Sequence, residues 1–310
     1  MKYLKLLRIN QWLKNLVIFI PIFFSGSMFV ERFYIKGLFA FLAFSLVSSS
    51  MYLINDVVDF EADKLHPYKK ERVELIKKLT PSKTLLLSFI ILVVGILTER
   101  LFVQSEYFLL ILITYVLIML MYSFYLKNIG IVDVITIAIG FILRAVAGAV
   151  LFQLELSAFL MLSIIGMALL ISFGKRKLEL IQLGEDNAIK HRSASEVYPD
   201  HLLDYIISAI MSVTFTAYIL FAYSFQVSGL NFVLHKYLPP LFKDPHWLLL
   251  TTPIALYVLI RYLSVIYKGK VRNVESIWFK DKELLLGILL WFVVLFVLIY
   301  SQQIATIISL

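Results

Sequence analysis

The chain contains no cysteine and carries little charge for its length. Without cysteine, the sequence excludes a disulfide, a thiolate metal site and a cysteine nucleophile. The five histidines show no close pairing, which argues against a zinc site. Only 16% of the 310 residues are charged and 61% are hydrophobic, whereas a soluble domain is typically about 25% charged and about 45–50% apolar. This composition excludes a soluble enzyme and a disordered chain.

Long hydrophobic stretches fill most of the sequence. A bilayer core needs roughly 20 apolar residues for each helical span, and the intervening segments leave no room for a separate soluble domain. We therefore predict an all-α integral membrane protein with one transmembrane domain, residues 1–310. Its nine candidate helices lie at about 16–30, 36–54, 84–103, 107–125, 131–152, 156–174, 203–226, 247–267 and 284–309. The two largest polar loops, 55–83 and 175–202, follow predicted helices 2 and 6.

Lysine and arginine are unevenly distributed among the loops. With the N-terminus in the cytoplasm, 22 of the 29 basic residues fall in cytoplasmic segments and five in outer segments. Cytoplasmic loops of membrane proteins carry such an excess of positive charge. We therefore predict a cytoplasmic N-terminus, cytoplasmic loops after helices 2 and 6, and a C-terminus outside. The first helix is expected to be retained, because no small-residue cleavage site follows it and Pro21 interrupts it.

The most informative polar stretch follows predicted helix 2 and contains Asn55, Asp56, Asp59 and Asp63. If the helix continues, the three aspartates are spaced i, i+3, i+7 and share one face. Three neighbouring carboxylates repel one another unless a cation binds them. Mg²⁺ prefers oxygen ligands and is usually completed by water and substrate phosphates, so these four residues are predicted metal ligands. The alternative is a solvated helix end whose acidic charge is offset by the lysines that follow.

The same stretch reads N-D-x-x-D-x-x-x-D and resembles the first aspartate-rich motif of the UbiA superfamily of intramembrane prenyltransferases. Nine helices with large loops after helices 2 and 6 resemble that fold as well. The second acidic motif of the aromatic prenyltransferases is missing, since segment 174–180 reads G-K-R-K-L-E-L. That segment resembles the decaprenyl-phosphate phosphoribosyltransferase branch of the superfamily. Further segments that match this branch are 8–15, 66–69, 122–127, 143–148 and 261–275.

The resemblance implies a glycosyltransferase of the bacterial inner membrane. Its reaction would be Mg²⁺-dependent transfer of a 5-phosphoribosyl group from phosphoribosyl diphosphate to a decaprenyl-type polyprenyl phosphate, for synthesis of cell-envelope polysaccharide precursors. The first alternative is a prenyltransferase of the same superfamily that acts on an aromatic or other acceptor, but segment 174–180 lacks its second acidic site. The second alternative is a transporter or channel, which the concentration of charge at cytoplasmic helix ends disfavours. No nucleic-acid partner is expected, and a homo-oligomer stays open.

The candidate site residues follow from these motifs and from the phosphate groups of the implied substrates. The predicted catalytic residues are Asp56, Asp59, Lys127 and Arg144. The predicted substrate-binding residues are Lys14, Asn55, Lys69, Arg72, Tyr122, Ser123, Lys175, Arg176 and Glu179.

Two of these assignments have structural alternatives. Arg144 lies about 13 residues into predicted helix 5, roughly 20 Å deep at 1.5 Å per residue, so it requires a polar cavity or an acidic partner. A buried ion pair with Asp133 or Glu179 is the alternative to catalysis. Lys127 and the Lys175–Arg176 pair have a simpler alternative as topology-setting charges of cytoplasmic loops.

Overall fold

The computed structural model describes residues 6–64, 70–184, 199–225, 246–269, 277 and 280–308. Within these ranges all regular structure is helical and no strand occurs. The helices are α1 (Ile20–Phe24), α2 (Arg32–Val58), α3 (Phe60–Asp63), α4 (Lys70–Leu79), α5 (Pro81–Thr98), α6 (Glu106–Phe124), α7 (Val132–Phe152), α8 (Ala158–Leu183), α9 (Asp200–Ser224), α10 (Thr252–Tyr267) and α11 (Lys282–Ile308). Three 3-10 helices, Ile9–Phe19, Leu126–Asn128 and Trp247–Thr251, and one π-helical turn, Glu99–Val103, complete them.

Eight helices in the described part of the chain are long and apolar enough to cross a membrane. A bilayer favours helices because it offers no water to unpaired backbone groups, so the predicted all-helical membrane class is confirmed. The described part of the chain therefore has one spanning helix fewer than the nine predicted, and the difference lies at the N-terminus. Instead of one helix at 16–30, an apolar helical segment that is shorter than the eight spanning helices covers Ile9–Phe24. It begins earlier because its polar residues pack on α2, and it ends at Phe24, just before Gly26 adopts a positive φ of 70°.

The predicted loops also contain helix. Segment 55–83 includes α3 and α4, and α8 continues through segment 175–183, which was predicted to open a loop. Segment 175–183 forms helix because its residues are mostly strong helix formers and because Leu178 and Leu180 are buried. Local helix signals are otherwise clear. Pro81 opens α5 in its first turn, where a missing N–H costs little, and the hydroxyl of Ser105 caps α6.

The chain divides into two compact units, Met1–Glu155 with Glu179–Leu203, and Leu156–Leu178 with Asp204–Leu310. The prediction of one transmembrane domain stays a prediction. In the first unit, α2 packs against α5, α6 and the Ile9–Phe19 segment, around a core that includes Phe44, Val47 and Phe108. The N-terminal segment approaches α7 closely: a Cβ at Gly148 would lie 1.9 Å from the carbonyl oxygen of Ile18.

The second unit contains most of α8 together with α9, α10 and α11. Small residues again permit close approach, since a Cβ at Gly166 would lie 2.3 Å from Oγ1 of Thr214 on α9. A buried polar cluster joins α9 to the helices that follow it. The hydroxyl of Tyr218 shares a 2.6 Å hydrogen bond with Thr251 and accepts one of 2.9 Å from Trp291.

Candidate active site

The C-terminal end of α2 presents the aspartate-rich stretch. The α-helix ends at Val58, and Asp59 occupies the junction with α3. Hydrogen bonds nevertheless continue the helical path, since the N–H of Asp59 donates to the carbonyl of Asn55 and that of Asp63 donates to Asp59, each over 2.8 Å. The helical path on which the aspartate spacing depends is therefore largely present, with one interruption at Asp59.

Asp56 is almost completely buried and is held by two arginines. Its side chain is 1% exposed, and Oδ1 accepts from Arg8 and, over 3.3 Å, from Arg72. Arg8 reaches it from a left-handed backbone conformation with φ 50° and also stacks on Tyr52, 5.0 Å from the ring centroid. The other carboxylate oxygen, Oδ2, is buried and has no hydrogen-bond partner in the described chain. Asp56 therefore keeps one oxygen available for a ligand.

Asp59 lies beside Asp56 and contacts a different cation. Its Oδ1 pairs with Nζ of Lys127, and its Oδ2 accepts a 2.8 Å hydrogen bond from Nδ2 of Asn55. Lys127 is 8% exposed and stands on the 3-10 turn that follows α6. The structure thus brings Lys127, a predicted catalytic residue, to the aspartate-rich end of α2.

The oxygen atoms at this helix end fit a divalent cation in chemistry. Besides Oδ2 of Asp56, the neighbouring Oδ1 of Asn55 is buried without a hydrogen-bond partner in the part of the chain that the structure describes. Buried polar atoms normally have partners, and carboxylate and amide oxygens are suitable ligands for Mg²⁺. Asp63 is also buried, at 3% exposure. The described residues nevertheless contain no group of three or more acidic or histidine side chains placed to hold a metal. Waters and substrate phosphates would therefore complete the coordination.

Arg144 lies on α7, is 3% exposed, and is surrounded by neutral groups. Its Nε donates to Oδ1 of Asn15 over 2.6 Å, its Nη2 donates to the hydroxyl of Tyr115 over 3.0 Å and to that of Ser48 over 3.4 Å, and its Nη1 donates to the carbonyl of Gly140. Its Cζ also lies 4.8–5.6 Å from three aromatic ring centroids, those of Tyr115, Phe44 and Phe141.

No acidic side chain in the described ranges pairs with Arg144. The alternative interpretation, an ion pair with Asp133 or Glu179, is therefore wrong. Amide, hydroxyl and carbonyl dipoles and the negative faces of aromatic rings stabilise the charge instead.

The remaining predicted site residues of the first unit differ in how far their side chains are exposed. Lys14 is half-buried on the Ile9–Phe19 segment, and Tyr122 is half-buried on the last turn of α6. Ser123 is buried, and its hydroxyl donates to the carbonyl of Met119 over 2.9 Å, so it is occupied within its own helix. Glu179 is half-buried on α8. Lys69 falls outside the described residues.

The predicted basic pair of the second unit lies in a helix rather than a loop. Lys175 is exposed on α8, whereas Arg176 is 2% exposed. The next residue, Lys177, is also buried, and its Nζ pairs with Oδ1 of Asp204 over 2.7 Å. Asp204 accepts a further 2.6 Å hydrogen bond from the hydroxyl of Tyr267. Neither Lys177 nor Asp204 was predicted as a site residue, and their pairing has no local sequence signal because 27 positions separate them.

Arg8 and Asn15 were also missed as site residues. Both belong to segment 8–15, in which only Lys14 was predicted as a site residue. That segment contains five polar or basic residues immediately before an apolar run. This density of polar groups at the start of a membrane segment is the signal that could have identified them.

The described chain combines a helical membrane fold with an Asn- and Asp-rich helix end, the two features in which the sequence resembles the UbiA superfamily. The chain belongs to the UbiA prenyltransferase family, whose model matches residues 18–280. It is an integral, multi-pass membrane protein with a transferase fold.

Three similar proteins illustrate the range of the family. Decaprenyl-phosphate phosphoribosyltransferase of Mycolicibacterium smegmatis is 28% identical over 292 residues, 93% of this chain and 89% of that protein. The uncharacterized protein y4nM of Sinorhizobium fredii is 34% identical over 180 residues, which cover 58% of this chain and only 34% of that longer protein. A UbiA homolog from Archaeoglobus fulgidus, solved with GPP and Mg²⁺, has a TM-score of 0.67 at 16% identity, covering 96% of this chain and 99% of that one. The last comparison establishes the shared fold.

Proposed function

We propose that the protein is a Mg²⁺-dependent enzyme that transfers a 5-phosphoribosyl group from phosphoribosyl diphosphate to a decaprenyl-type polyprenyl phosphate. The C1–O bond of the donor breaks, and diphosphate leaves with the electron pair. An oxygen of the acceptor phosphate forms the new bond to C1. This phosphate is already anionic near pH 7, so the reaction needs positioning and charge stabilisation rather than a strong base. The product would serve as a precursor of cell-envelope polysaccharide.

The observation that carries this proposal is the combination of unpartnered ligand oxygens and cationic side chains at one helix end. Oδ1 of Asn55 and Oδ2 of Asp56 would bind Mg²⁺, which when bound stabilises the negative charge of the leaving diphosphate. Arg8, Arg72 and Lys127 contact the same aspartates. These three cations can turn to phosphate oxygens when a metal ion replaces them at the carboxylates.

The full set of predicted site residues is retained in the proposal. Asp56, Asp59 and Lys127 act directly, and Asp63 supports the metal site. Lys14, Lys69, Arg72, Tyr122, Ser123, Lys175, Arg176 and Glu179 remain proposed substrate contacts. Arg144 remains a proposed contributor to catalysis, and its contacts with neutral groups favour an indirect role.

The choice of donor rests on segment 174–180 and on the relatives. This segment offers one carboxylate, Glu179, where an aromatic prenyltransferase would carry a second acidic motif. The relative from Mycolicibacterium smegmatis, which aligns over 93% of this chain, bears the name of a phosphoribosyltransferase. A prenyltransferase acting on an aromatic or other acceptor is the second candidate, favoured by the family as a whole.

The distribution of basic residues supports a location in the bacterial inner membrane with the site on the cytoplasmic side. The aspartate-rich end of α2 is followed by α4, which carries Lys70, Arg72, Lys77 and Lys78. Such a concentration of positive charge favours the cytoplasmic face, where a soluble phosphorylated donor would be available. By the sequence topology, the C-terminus would lie outside.

A direct assay separates the two candidate reactions. Purified protein is incubated with polyprenyl phosphate and radiolabelled phosphoribosyl diphosphate, with Mg²⁺ or with excess chelator, and parallel samples receive a labelled prenyl diphosphate and an aromatic acceptor. The proposal predicts Mg²⁺-dependent, lipid-extractable label from the phosphoribosyl donor. Label transfer only from the prenyl diphosphate would support the second candidate and overturn the first.

A further inference from the structure

The N-terminal 3-10 helix Ile9–Phe19 and the turn before it follow one face of α2 through a ladder of polar contacts. On α2 the contacting residues recur every three or four positions, so they share one face. Nδ2 of Asn15 donates to Ser45 over 2.9 Å, and Nε1 of Trp12 donates to Ser49 over 2.9 Å. Closer to the C-terminal end of α2, Arg8 stacks on Tyr52 and pairs with Asp56. The segment thus runs antiparallel to α2, and its N-terminal end lies at the aspartate-rich site.

Asn15 is the most completely constrained member of this ladder. Its side chain is 0% exposed. The amide oxygen accepts from Nε of Arg144 over 2.6 Å while the amide nitrogen donates to Ser45. One amide therefore joins three elements: the N-terminal segment, α2 and α7. Loss of this side chain would leave a buried guanidinium nitrogen and a buried hydroxyl without a partner, which is costly inside a membrane.

Arg144 is in turn fully engaged by the protein. All three guanidinium nitrogens donate to protein acceptors, and the side chain is 3% exposed. Arg144 contacts Ser48 on α2. Ser48 precedes Asp56 by eight residues, which corresponds to about 12 Å along the helix. The guanidinium is therefore committed to holding neighbouring elements together and is distant from the unpartnered oxygen of Asp56.

We propose that Asn15 and Arg144 form a clamp that fixes the register of the N-terminal segment on α2 and thereby positions Arg8 at Asp56. The pair acts on the reaction through Arg8, so both are positioning residues. This inference rests on the proposed function only for its kinetic consequence, since the register itself is a property of the fold. Gly148 assists the clamp, because its lack of a side chain lets the backbone at Ile18 lie against α7.

The register can be measured without any assay of activity. The chain has no cysteine, so Ile9→Cys on the segment and Leu38→Cys on α2 introduce two specific sites for spin labels. Both positions are exposed, at 46% and 62%. The distance between the labels is measured by pulsed electron resonance with Asn15 intact and with Asn15→Ala. The matched control is Ser50→Ala. Ser50 is a serine of α2 that is as buried as Ser45, but it hydrogen-bonds Ser88 on α5 and not the N-terminal segment.

The clamp predicts that Asn15→Ala shifts or broadens the distance distribution while Ser50→Ala leaves it unchanged. It also predicts that Asn15→Ala raises the donor KM by about tenfold, and that the effects of Asn15→Ala and Arg8→Ala are not additive, because both act through one contact. If Asn15→Ala does not fold, Ser45→Ala removes one half of the same contact and gives the milder test. The clamp is overturned by an unchanged distance distribution in Asn15→Ala or, if that variant does not fold, in Ser45→Ala. A changed distribution in a protein whose parent transfers no phosphoribosyl group supports the clamp and refutes the proposed reaction.

Discussion

At the scale of single residues, the site is organised by pairs of opposite charge at the end of α2. Arg8 and Arg72 contact one oxygen of Asp56, and Lys127 contacts Asp59. The sequence identified the aspartates and Lys127 because they belong to a recognisable spacing. It did not reveal their partners, because the Arg8–Asp56 and Lys127–Asp59 contacts join residues 48 and 68 positions apart. Such pairings are set by tertiary packing.

The first prediction concerns Asp56, whose unpartnered Oδ2 is the proposed metal ligand. Asp56→Asn removes the negative charge with almost no change in volume, so turnover of the folded protein should fall by about a hundredfold or more. The melting temperature should also fall, because Arg8 and Arg72 lose their charged partner. Glu61→Gln is the control, because Glu61 is exposed and its ion pair among the described residues is with Lys64 on the surface. Turnover at saturating Mg²⁺ and the melting temperature are measured on the same preparation. Turnover equal to that of the control would contradict the metal assignment.

The second prediction separates stability from activity at the Lys127–Asp59 pair. Lys127→Met leaves Asp59 charged with its cationic partner removed, and breaking a buried ion pair costs about 3–5 kcal/mol, so the melting temperature should fall. Adding Asp59→Asn removes the uncompensated charge and should restore much of the stability. Activity should stay low in the double variant, since both proposed functional groups are gone. If the Lys127→Met, Asp59→Asn double variant melts at the same temperature as Lys127→Met alone, the unpaired charge of Asp59 is not the cause of the lost stability.

At the scale of elements, hydropathy predicted the long helices and failed where polar residues form helix. Predicted helices 107–125 and 247–267 match α6 and the joined Trp247–Tyr267 segment closely, because their apolar runs are long and uninterrupted. The extension of α8 through 175–183 was missed because charge was interpreted as loop. The N-terminal segment was shifted because its polar residues, Asn15 among them, are buried against α2 by contacts that hydropathy does not register.

The third prediction concerns Asp281, which caps α11. Oδ1 accepts from the N–H of Leu284 over 2.8 Å, and both carboxylate oxygens accept from Arg261 over 3.0 and 2.8 Å. The hydrogen bond from Arg261 lowers the pKa of Asp281 below its ordinary value. A lowered folded-state pKa gives stability that is present above the unfolded pKa and is lost as the pH falls through the folded value, below about 4.

Asp281→Asn should therefore reduce the melting temperature at pH 7 and have a smaller effect in acid. The loss at pH 7 should be at most about 1 kcal/mol, because asparagine keeps the cap and only the charge of a partly exposed ion pair with Arg261 is lost. Thermal unfolding in detergent between pH 3 and pH 7 measures this dependence for the parent and the variant. Melting curves separated by the same interval at every pH would contradict the role of the ionised carboxylate.

At the scale of the whole molecule, the fold and the family are established, and the direction of the chain across the membrane follows from the proposed topology. In the first unit, α5 runs away from the aspartate-rich end and α6 returns from Glu106 to Phe124, just before Lys127. Gln104, between these helices, should therefore lie on the opposite side of the membrane from Glu61. The sequence predicts which loops lie on each side of the membrane through its basic residues. The division into two compact units has no comparable sequence signal.

The fourth prediction tests that topology with single cysteines in the cysteine-free chain. Glu61→Cys should react with a membrane-impermeant maleimide only in inverted vesicles, and Gln104→Cys only in right-side-out vesicles. Both residues are exposed, so both sites are accessible to the reagent. Labelling of both positions from the same side would contradict the arrangement.

The proposed reaction, transfer of phosphoribose to a lipid phosphate, can be tested on its product. The most direct measurement is the mass of the acceptor lipid after incubation of the purified protein with decaprenyl phosphate, phosphoribosyl diphosphate and Mg²⁺, with the Asp56→Asn variant in parallel. We expect the lipid to gain the mass of one phosphoribosyl group with the parent protein and to remain unchanged with the variant. A lipid of unchanged mass with the parent protein, in a preparation that instead prenylates an aromatic acceptor, would contradict it.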